Sequence, residues 1–237
     1  MVRFYFLRLL KDYLGHAILL GLPVFLIAVL TYINDPTQAQ WPEISRFVSI
    51  GFILMFQIFG GAYTFEGLQE DFLTAKKDRL NATPVAPIKI VLTQIVFSTV
   101  ITYLQTLIIL VFTIVFFGAE FSNIPLLLLL FLLSAFAAQL LGGVLLFLLK
   151  SGNKAQVTIT LYAIFAPVLA GFNFQLPQNR ITPYLERYST PLALTRTGIH
   201  GLLDQNYTDV VIGFSSMMGF IVILMVLLNK FSKEVIV

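Results

Sequence analysis

The chain contains no cysteine and only two histidines in 237 residues. Without cysteine it cannot form a disulfide framework, an iron–sulfur cluster or a thiolate metal site. The two histidines, His16 and His200, are too far apart in the sequence for a His-Glu-x-x-His zinc motif. We therefore predict no metal site.

Charged residues are also scarce. They make up 11% of the chain, against about 25% in a typical soluble domain, whereas 58% of the residues are hydrophobic. A soluble fold of this size cannot bury so many apolar side chains, so lipid must be the solvent for most of the chain. The net charge of +3 comes from short basic clusters between apolar runs. Such clusters indicate orientation in a membrane, and we predict no nucleic-acid partner.

Two further absences limit the chemistry. The sequence has no Gly-x-x-x-x-Gly-Lys-Ser/Thr phosphate loop, so ATP cannot be bound and hydrolysed by that route. The long apolar runs contain almost no charged residue, which argues against a proton relay, carboxylate-coupled ion transport or an intramembrane active site. We therefore predict that the chain is not an enzyme and binds no cofactor directly.

Six apolar runs reach, or nearly reach, the roughly 20 residues needed to span a membrane. The third exceeds that requirement, and the fifth is short and carries Pro167 and Gly171. The sequence predicts an all-α integral membrane protein in which residues 1–237 form a single transmembrane domain. The predicted spans are 16–33, 46–65, 88–117, 124–149, 155–173 and 208–229.

The basic residues predict which side of the membrane each loop faces, because Lys and Arg are retained on the cytoplasmic side. Six spans with a cytoplasmic N-terminus put eleven of the 15 basic residues inside. We predict a multi-pass protein of the cell membrane with both termini in the cytoplasm. The inner residues are Arg3, Arg8, Lys11, Lys76, Lys77, Arg79, Lys89, Lys150, Lys154, Lys230 and Lys233; the outer ones are Arg46, Arg180, Arg187 and Arg196.

Three segments outside the spans have helical patterns. Residues 1–15 fit an amphipathic helix on the inner surface, or simply a charged lead-in to the first span. The inner loop 66–87 fits a short amphipathic helix along the membrane face, ended by its prolines, or a solvated linker. The outer segment 173–208 fits two short helices that dip back toward the membrane. The sequence fits equally a lid over a transport path and a structured loop without that role.

Several polar residues interrupt the apolar spans. They are candidates to line a translocation path, but polar side chains also join neighbouring helices by hydrogen bonds of about 1 kcal/mol. The pairs Gly60-Gly61 and Gly142-Gly143 predict close helix packing. The path candidates are Gln57, Gln94, Thr102, Gln105 and Gln139.

The inner loop carries a motif, Asp78-Arg79-Leu80-Asn-Ala-Thr83-Pro84-Val85-Ala-Pro87. It resembles the stretch that closes the coupling helix in type-2 ATP-binding-cassette export permeases. Three outer segments are similar to the region before the last span in that family. They are Gly171-Phe172-Asn-Phe174-Gln-Leu-Pro177, Pro183-Tyr-Leu and Thr190-Pro191-Leu192-Ala-Leu-Thr195. The order of spans and loops resembles that of this family along essentially the whole chain.

The resemblance implies a permease domain with a cytoplasmic coupling helix between spans 2 and 3. It implies cytoplasmic nucleotide-binding ATPase subunits that use ATP and magnesium, and a second permease subunit, identical or related. The cargo would be amphipathic or lipidic: a peptide, bacteriocin or drug. The residues expected to contact the ATPase are Glu66, Glu70, Asp71, Phe72, Lys76, Lys77, Arg79 and Leu80.

Two other functions fit parts of the sequence. One is a membrane protein that confers immunity or acts as a sensor beside an ATPase without transporting anything. The other is an intramembrane enzyme, which needs buried catalytic groups that the spans lack.

Overall fold

The computed structural model describes residues 11–81, 85–172, 177 and 179–236. Every regular element among them is a helix, which confirms the predicted all-α fold. In chain order the helices are α1 Tyr13–Asn34, α2 Trp41–Phe72, α3 Lys76–Asn81, α4 Pro87–Phe117, α5 Ile124–Leu149, α6 Gly152–Leu169, α7 Thr182–Tyr188, α8 Pro191–Leu203 and α9 Tyr207–Ile236.

Five helices in the described part of the chain are long and apolar enough to cross a membrane: α1, α2, α4, α5 and α9. The run predicted at 155–173 corresponds to α6, which has 18 residues and ends at Leu169. Its first turns carry Asn153, Lys154 and Gln156, and α6 is not among the five. Residue 173 lies outside the described residues.

The first long helix begins at Tyr13, before the predicted start at residue 16. Asp12 caps it, because the Asp12 carboxylate accepts a hydrogen bond of 3.0 Å from the Gly15 backbone N–H. Of the predicted surface helix at 1–15, residues 1–10 lie outside the described part, and residues 13–15 belong to α1.

Proline marks the start of five helices. A proline in the first turn costs the helix no hydrogen bond, because the N–H groups of that turn have no partner within the helix. The helix α4 ends at Gly118, whose φ of 68° is the left-handed conformation that glycine adopts without strain. The prolines are Pro42 in α2, Pro87 in α4, Pro125 in α5, Pro183 in α7 and Pro191 in α8.

The helix α2 is the centre of the bundle. Its most apolar stretch is 78% buried, against 17% for α1 and 22% for α9. It packs against α1, α4, α5 and α6. With 32 residues it is about 48 Å long, whereas the hydrocarbon core of a bilayer is about 30 Å thick. One continuous helix therefore reaches beyond the hydrocarbon.

The helices α1, α4 and α9 carry exposed apolar side chains on the surface of the bundle, as lipid-facing helices do. On α4 these side chains recur every three or four residues and form a continuous stripe. They are Val96, Val100, Leu104, Ile108, Val111 and Val115.

The bundle has two ends that are named here by their aromatic contacts. At the Phe72 end, Phe72 packs against Phe147 with ring centroids 6.0 Å apart. Gly152, where α6 begins, lies there against the Gln69 side chain. At the Trp41 end, Trp41 packs against Phe117 with ring centroids 5.4 Å apart.

The helices α2 and α5 approach each other most closely at Gly61 and Gly142. A Cβ atom added to Gly61 would lie 2.8 Å from the Ala138 carbonyl oxygen and 2.8 Å from Ile159 Cδ1. Gly142 faces the Gly61 carbonyl oxygen directly. The predicted close packing at both glycines is therefore present, and it sets the distance between the two helices.

Replacing Gly61 by alanine tests this contact. We expect Gly61→Ala to destabilise the protein by about 1–3 kcal/mol, because the new methyl group meets backbone that cannot rotate away. Thermal unfolding of the purified protein, followed by size-exclusion chromatography, measures the loss. Gly219→Ala on α9 is the matched control, since nothing lies within 4 Å of the added atom and alanine favours helix. Equal melting temperatures for both variants would contradict the close packing.

Candidate functional site

Seven of the buried polar side chains of α2, α4 and α5 form a group called the polar ladder. All seven are buried, and the most exposed of them retains 8% of its surface. All five path candidates from the sequence belong to it. The polar ladder consists of Gln57, Thr64, Gln94, Thr102, Gln105, Thr106 and Gln139.

Gln139 is the central member of the polar ladder, because it joins three helices. Its Oε1 accepts a hydrogen bond of 2.7 Å from the Thr64 hydroxyl of α2. Its Nε2 donates one of 2.9 Å to the Thr102 hydroxyl of α4. One side chain of α5 therefore links α2 to α4.

Gln57 makes a second link of the same kind. Its Nε2 donates to the Thr106 hydroxyl at 2.9 Å and to the Phe131 carbonyl oxygen at 3.1 Å. Thr106 lies on α4 and Phe131 on α5, so Gln57 also joins three helices. Its Oε1 finds no hydrogen-bond partner among the residues that the structure describes.

The helix α1 joins the polar ladder through His16 and Tyr63. The Tyr63 hydroxyl lies 2.8 Å from His16 Nδ1. Gln105 Nε2 donates to the Tyr63 hydroxyl at 3.2 Å and lies 3.1 Å from His16 Nδ1. Gln94 Nε2 donates to the Tyr63 carbonyl oxygen at 3.3 Å. The sequence predicted no role for His16 or Tyr63, since their partners lie 31 or more residues away.

The polar ladder holds helices together in this conformation. Its members bond to one another, to the side chains of His16, Tyr63 and Ser98, and to backbone carbonyls. A buried polar group in lipid is stable only when it has such partners. Their hydrogen bonds join α2, α4 and α5, as the helix-joining alternative predicts, and a role in lining a translocation path stays a prediction.

The eight predicted ATPase-contact residues lie on two helices. The structure has a continuous α2 through residue 72, a turn at 73–75 and the six-residue α3. The sequence predicted a short separate helix within the loop 66–87. Instead, α2 extends seven residues beyond the predicted end of span 2 and includes the first part of that loop. We call residues 66–81 the α2–α3 corner. Its candidates are Glu66, Glu70, Asp71 and Phe72 in α2, and Lys76, Lys77, Arg79 and Leu80 in α3.

Burial separates these residues into two groups. Asp71 is 5% exposed and Phe72 is 2% exposed, and the Phe72 ring packs inside against Phe147. Glu66 and Lys76 are exposed. The side chain of Arg79 lies outside the described residues. The structure therefore places two candidates inside the bundle, where a docked protein cannot touch them directly.

Side chains fix the turn of the α2–α3 corner. Lys76 and Glu70 form an ion pair across it. The Thr74 hydroxyl donates to the Glu70 carbonyl oxygen at 2.6 Å and accepts from the Lys76 backbone N–H at 3.2 Å. The corner therefore presents a defined surface of mixed charge.

The segment between α6 and α9 contains the two helices α7 and α8, where the sequence predicted helical stretches. Thr190 caps α8 by accepting from the Ala193 backbone N–H at 3.1 Å. The Thr197 hydroxyl donates to the Arg187 carbonyl oxygen at 3.1 Å, and Arg187 pairs with Asp209. Residues 173–176 and 178 of the predicted outer segment lie outside the described part.

Arg196 fastens α8 to the bundle. Its guanidinium carbon lies 4.9 Å from the ring centre of Phe172 and 5.6 Å from that of Phe47. It also donates a hydrogen bond to the Ala170 carbonyl oxygen. A cation between two aromatic rings is stabilised by their π electrons. No sequence motif marks Arg196, since its rings come from distant parts of the chain.

A cavity of about 800 Å³ lies at the Trp41 end, between α1, α2 and α8. Its polar lining includes Glu43, Arg46, His200 and Asp204. Burial lowers the pKa of His200 to about 4. The positive charges of Arg196 and Arg46 also lower this pKa, whereas Asp204 opposes them. His200 is therefore neutral in the folded protein well below its usual pKa of about 6.5.

Removing the central member of the polar ladder should destabilise the bundle. Gln139→Leu loses two hydrogen bonds of about 1 kcal/mol each. We expect the melting temperature to fall by about 4–8 °C. Gln156→Leu on the exposed face of α6 is the matched control and should leave it unchanged. A stable Gln139→Leu protein would show that these bonds do not hold the helices.

His200 predicts a pH dependence of stability. Between about pH 6.5 and 4, the unfolded chain binds a proton at this histidine and the folded chain does not, so stability falls as the pH falls. His200→Phe keeps a ring against Phe47 and removes the proton. Melting curves from pH 8 to 4 should fall less steeply for the variant than for the original chain. Parallel curves would contradict the neutral buried imidazole.

The comparisons with known proteins agree with this architecture. The family described as "ABC-2 family transporter protein" matches residues 25–230. That range runs from within α1 to within α9 and includes the polar ladder and the α2–α3 corner. No curated protein and no solved structure matches the chain. The match confirms the family resemblance found in the sequence, and the chain therefore belongs to the ABC-2 family of transporter proteins.

Proposed function

We propose that this chain is the transmembrane permease subunit of an ATP-binding-cassette exporter. It moves an amphipathic or lipidic cargo, such as a peptide, bacteriocin or drug, out of the cell. Membership of the family implies a partner ATPase. The absence of a phosphate loop from the sequence supports the assignment of ATP and magnesium to that partner.

One observation carries the proposal: α2 is at once the most buried long helix and the helix that ends in the α2–α3 corner. Its length of about 48 Å exceeds the hydrocarbon thickness by about 18 Å. The exposed corner at the end of this long helix is a surface to which a soluble ATPase can bind. Beyond the end of α2, the exposed residues among the described side chains of this corner are Thr74, Ala75, Lys76 and Asp78.

Motion of the corner reaches other helices through packed contacts at the Phe72 end. Phe72 lies against Phe147 near the end of α5, and Gln69 lies against Gly152 at the start of α6. Close-packed side chains transmit displacement because they leave no room to yield. Phe72 and Gln69 therefore act as links within the permease, whereas the exposed corner residues contact the ATPase.

The proposed topology has six spans with both termini in the cytoplasm. The helix α6 is the fifth span in order: its 18 residues measure about 27 Å, close to the hydrocarbon thickness. The Phe72 end carries Lys76, Lys77, Lys150 and Lys154, and the basic residues favour its assignment to the cytoplasm. The segment with α7 and α8 then faces outward.

A second permease subunit, identical or related, completes the transport path in this proposal. The long helix α1 is only 17% buried, so much of its surface is left for lipid or for another subunit. ATP binding by the partner shifts the paired subunits between inward-open and outward-open states. A shift of a few kcal/mol is enough for such a change.

The test is co-purification and ATP hydrolysis with the partner ATPase. A pull-down of the tagged chain from native membranes identifies the soluble protein that binds it. In liposomes, the reconstituted complex should hydrolyse ATP faster than the ATPase alone. We expect Lys76→Glu to return hydrolysis to the rate of the ATPase alone, because it reverses an exposed charge and breaks the pair with Glu70.

Lys154→Glu is the matched control, because Lys154 is an exposed lysine in the first turn of α6, at the same end of the bundle. It should leave stimulated hydrolysis unchanged. If Lys76→Glu also leaves hydrolysis unchanged while the protein inserts normally, the α2–α3 corner is not the ATPase contact. A chain that binds an ATPase but moves no cargo in vesicles would instead be an immunity or sensor protein.

A further inference from the structure

The cavity at the Trp41 end, which we call the mixed-charge cavity, has both an apolar and a charged wall. Its volume of about 800 Å³ falls within the range of about 300–1,000 Å³ that is typical of sites for small molecules. Apolar side chains of α1, α2 and α8 form part of the lining. They are Leu30, Ile44, Phe47, Val48, Ile50 and Leu203.

Charges of both signs line the mixed-charge cavity. Glu43 and Arg46 lie three residues apart in the first turns of α2, which puts their side chains on one side of the helix. Asp204, which caps the end of α8, supplies a second carboxylate. His200 adds no charge at neutral pH, because burial lowers its pKa to about 4. The lining therefore carries one guanidinium and two carboxylates.

The undescribed residues next to this cavity in the sequence carry no charge. Residues 173–176 and 178 follow Gly171, which belongs to the lining, and they comprise only Asn, Phe, Gln and Leu. The undescribed basic side chains belong to segments at the start of α1 and in α3, at the Phe72 end. They are Arg3, Arg8 and Arg79. The described residues therefore account for the charge of the mixed-charge cavity.

Arg46 keeps hydrogen-bond donors for a ligand. Its Nη1 donates to the Glu120 backbone carbonyl oxygen at 3.4 Å, whereas a guanidinium has five N–H donors in all. In the described part of the chain, no ion pair joins Arg46 to Glu43 or Asp204. The guanidinium of Arg196 is outside the lining, because it is held between two aromatic rings. One positive and two negative groups are therefore available to a ligand.

We infer that the mixed-charge cavity binds a zwitterionic head group, in which an anionic group and an ammonium group are neighbours. The anionic group accepts charge-assisted hydrogen bonds from Arg46, and the ammonium group is attracted by Glu43 and Asp204. A simple cation is repelled by the guanidinium, and a simple anion is repelled by both carboxylates. The apolar wall fits a hydrocarbon tail, so the same head group on a phospholipid also matches the cavity.

This inference goes beyond the proposed function, because binding requires the permease chain alone. It concerns the Trp41 end, whereas the α2–α3 corner that contacts the ATPase lies at the Phe72 end. Failure of binding therefore leaves the ATPase result unaffected, and loss of ATPase coupling leaves binding intact.

The first experiment compares three soluble probes. The full-length chain in nonionic maltoside micelles is titrated by calorimetry, and the signal from empty micelles is subtracted. Glycerophosphoethanolamine carries both charges, ethanolamine carries the positive one, and glycerol phosphate carries the negative one. We expect glycerophosphoethanolamine to bind saturably, with a Kd about tenfold below that of either other probe. Equal Kd values for the zwitterion and one of the simple ions would overturn the inference.

A second titration separates a lipid from a soluble head group. Phosphatidylethanolamine and phosphatidylglycerol with the same tails are added in mixed micelles, since only the first has an ammonium group. Saturable binding of phosphatidylethanolamine alone, without binding of glycerophosphoethanolamine, identifies a lipid as the ligand. Similar Kd values for these two zwitterions show that the head group suffices. If neither zwitterion binds, or if both lipids bind equally, the inference fails.

Changing the charges tests where the zwitterion binds. Arg46→Gln removes the positive charge and keeps hydrogen-bond donors. We expect the Kd of the zwitterion to rise about threefold and that of ethanolamine to fall about threefold, so the preference for the zwitterion is lost. Arg46→Lys keeps the charge and should keep the preference. An unchanged preference in Arg46→Gln would rule out this cavity.

The carboxylates should have the opposite effect on the simple ions. In the double variant Glu43→Gln with Asp204→Asn, we expect weaker binding of the zwitterion and tighter binding of glycerol phosphate. Glu120→Gln is the matched control, because Glu120 is an exposed carboxylate at the same end and Arg46 bonds to its backbone. It should leave all Kd values unchanged. Equal effects of the control and the double variant would contradict the assigned positions.

Cysteine labelling shows whether the cavity is open. The chain has no native cysteine, so Ile44→Cys introduces a single thiol in the lining. We expect a water-soluble maleimide to label this thiol, and the zwitterion to slow the reaction. Glu120→Cys is the exposed control and should react at the same rate with and without the zwitterion. A thiol at residue 44 that is unreactive, or that the zwitterion does not protect, would overturn the inference.

Discussion

The structure depends on one constraint: a polar group inside a bilayer must find its hydrogen-bond partner within the protein. The close approach at Gly61 and Gly142 brings α5 near enough to α2 for Gln139 to reach Thr64 and Thr102 together. The buried polar side chains of each helix therefore find their hydrogen-bond partners on a neighbouring helix. The contact between two glycines and the bonds of one glutamine together fix the centre of the bundle.

This central contact makes α2 a rigid element that connects the two ends. The same helix that holds the polar ladder continues to Phe72, beyond the thickness of the hydrocarbon. Its last turns are packed against α5 and α6, and only then does the chain turn into the exposed corner. In the proposed mechanism, a displacement of that corner would be passed to the helices through the packed aromatic rings at this end.

Arg196 and His200 lie at one end of the described bundle, and Asp12 and Glu66 lie at the other. At the Trp41 end, Arg196 is held between two aromatic rings and His200 is kept neutral by burial and nearby positive charge. At the Phe72 end, Asp12 and Glu66 stand beside an apolar groove.

The sequence by itself determined that the chain is helical and lies in a membrane, because long apolar runs and prolines at helix starts act locally. It also identified the buried glutamines as unusual. It could not decide between a path and a helix contact for Gln139, because its partner Thr64 lies 75 residues away. Nor could it locate the end of α2, since exposed charges such as Glu66 are compatible with both a loop and a helix that leaves the membrane. The burial of Phe72 and the bonds of Gln139 come from the tertiary structure alone, because they exist only when distant helices meet.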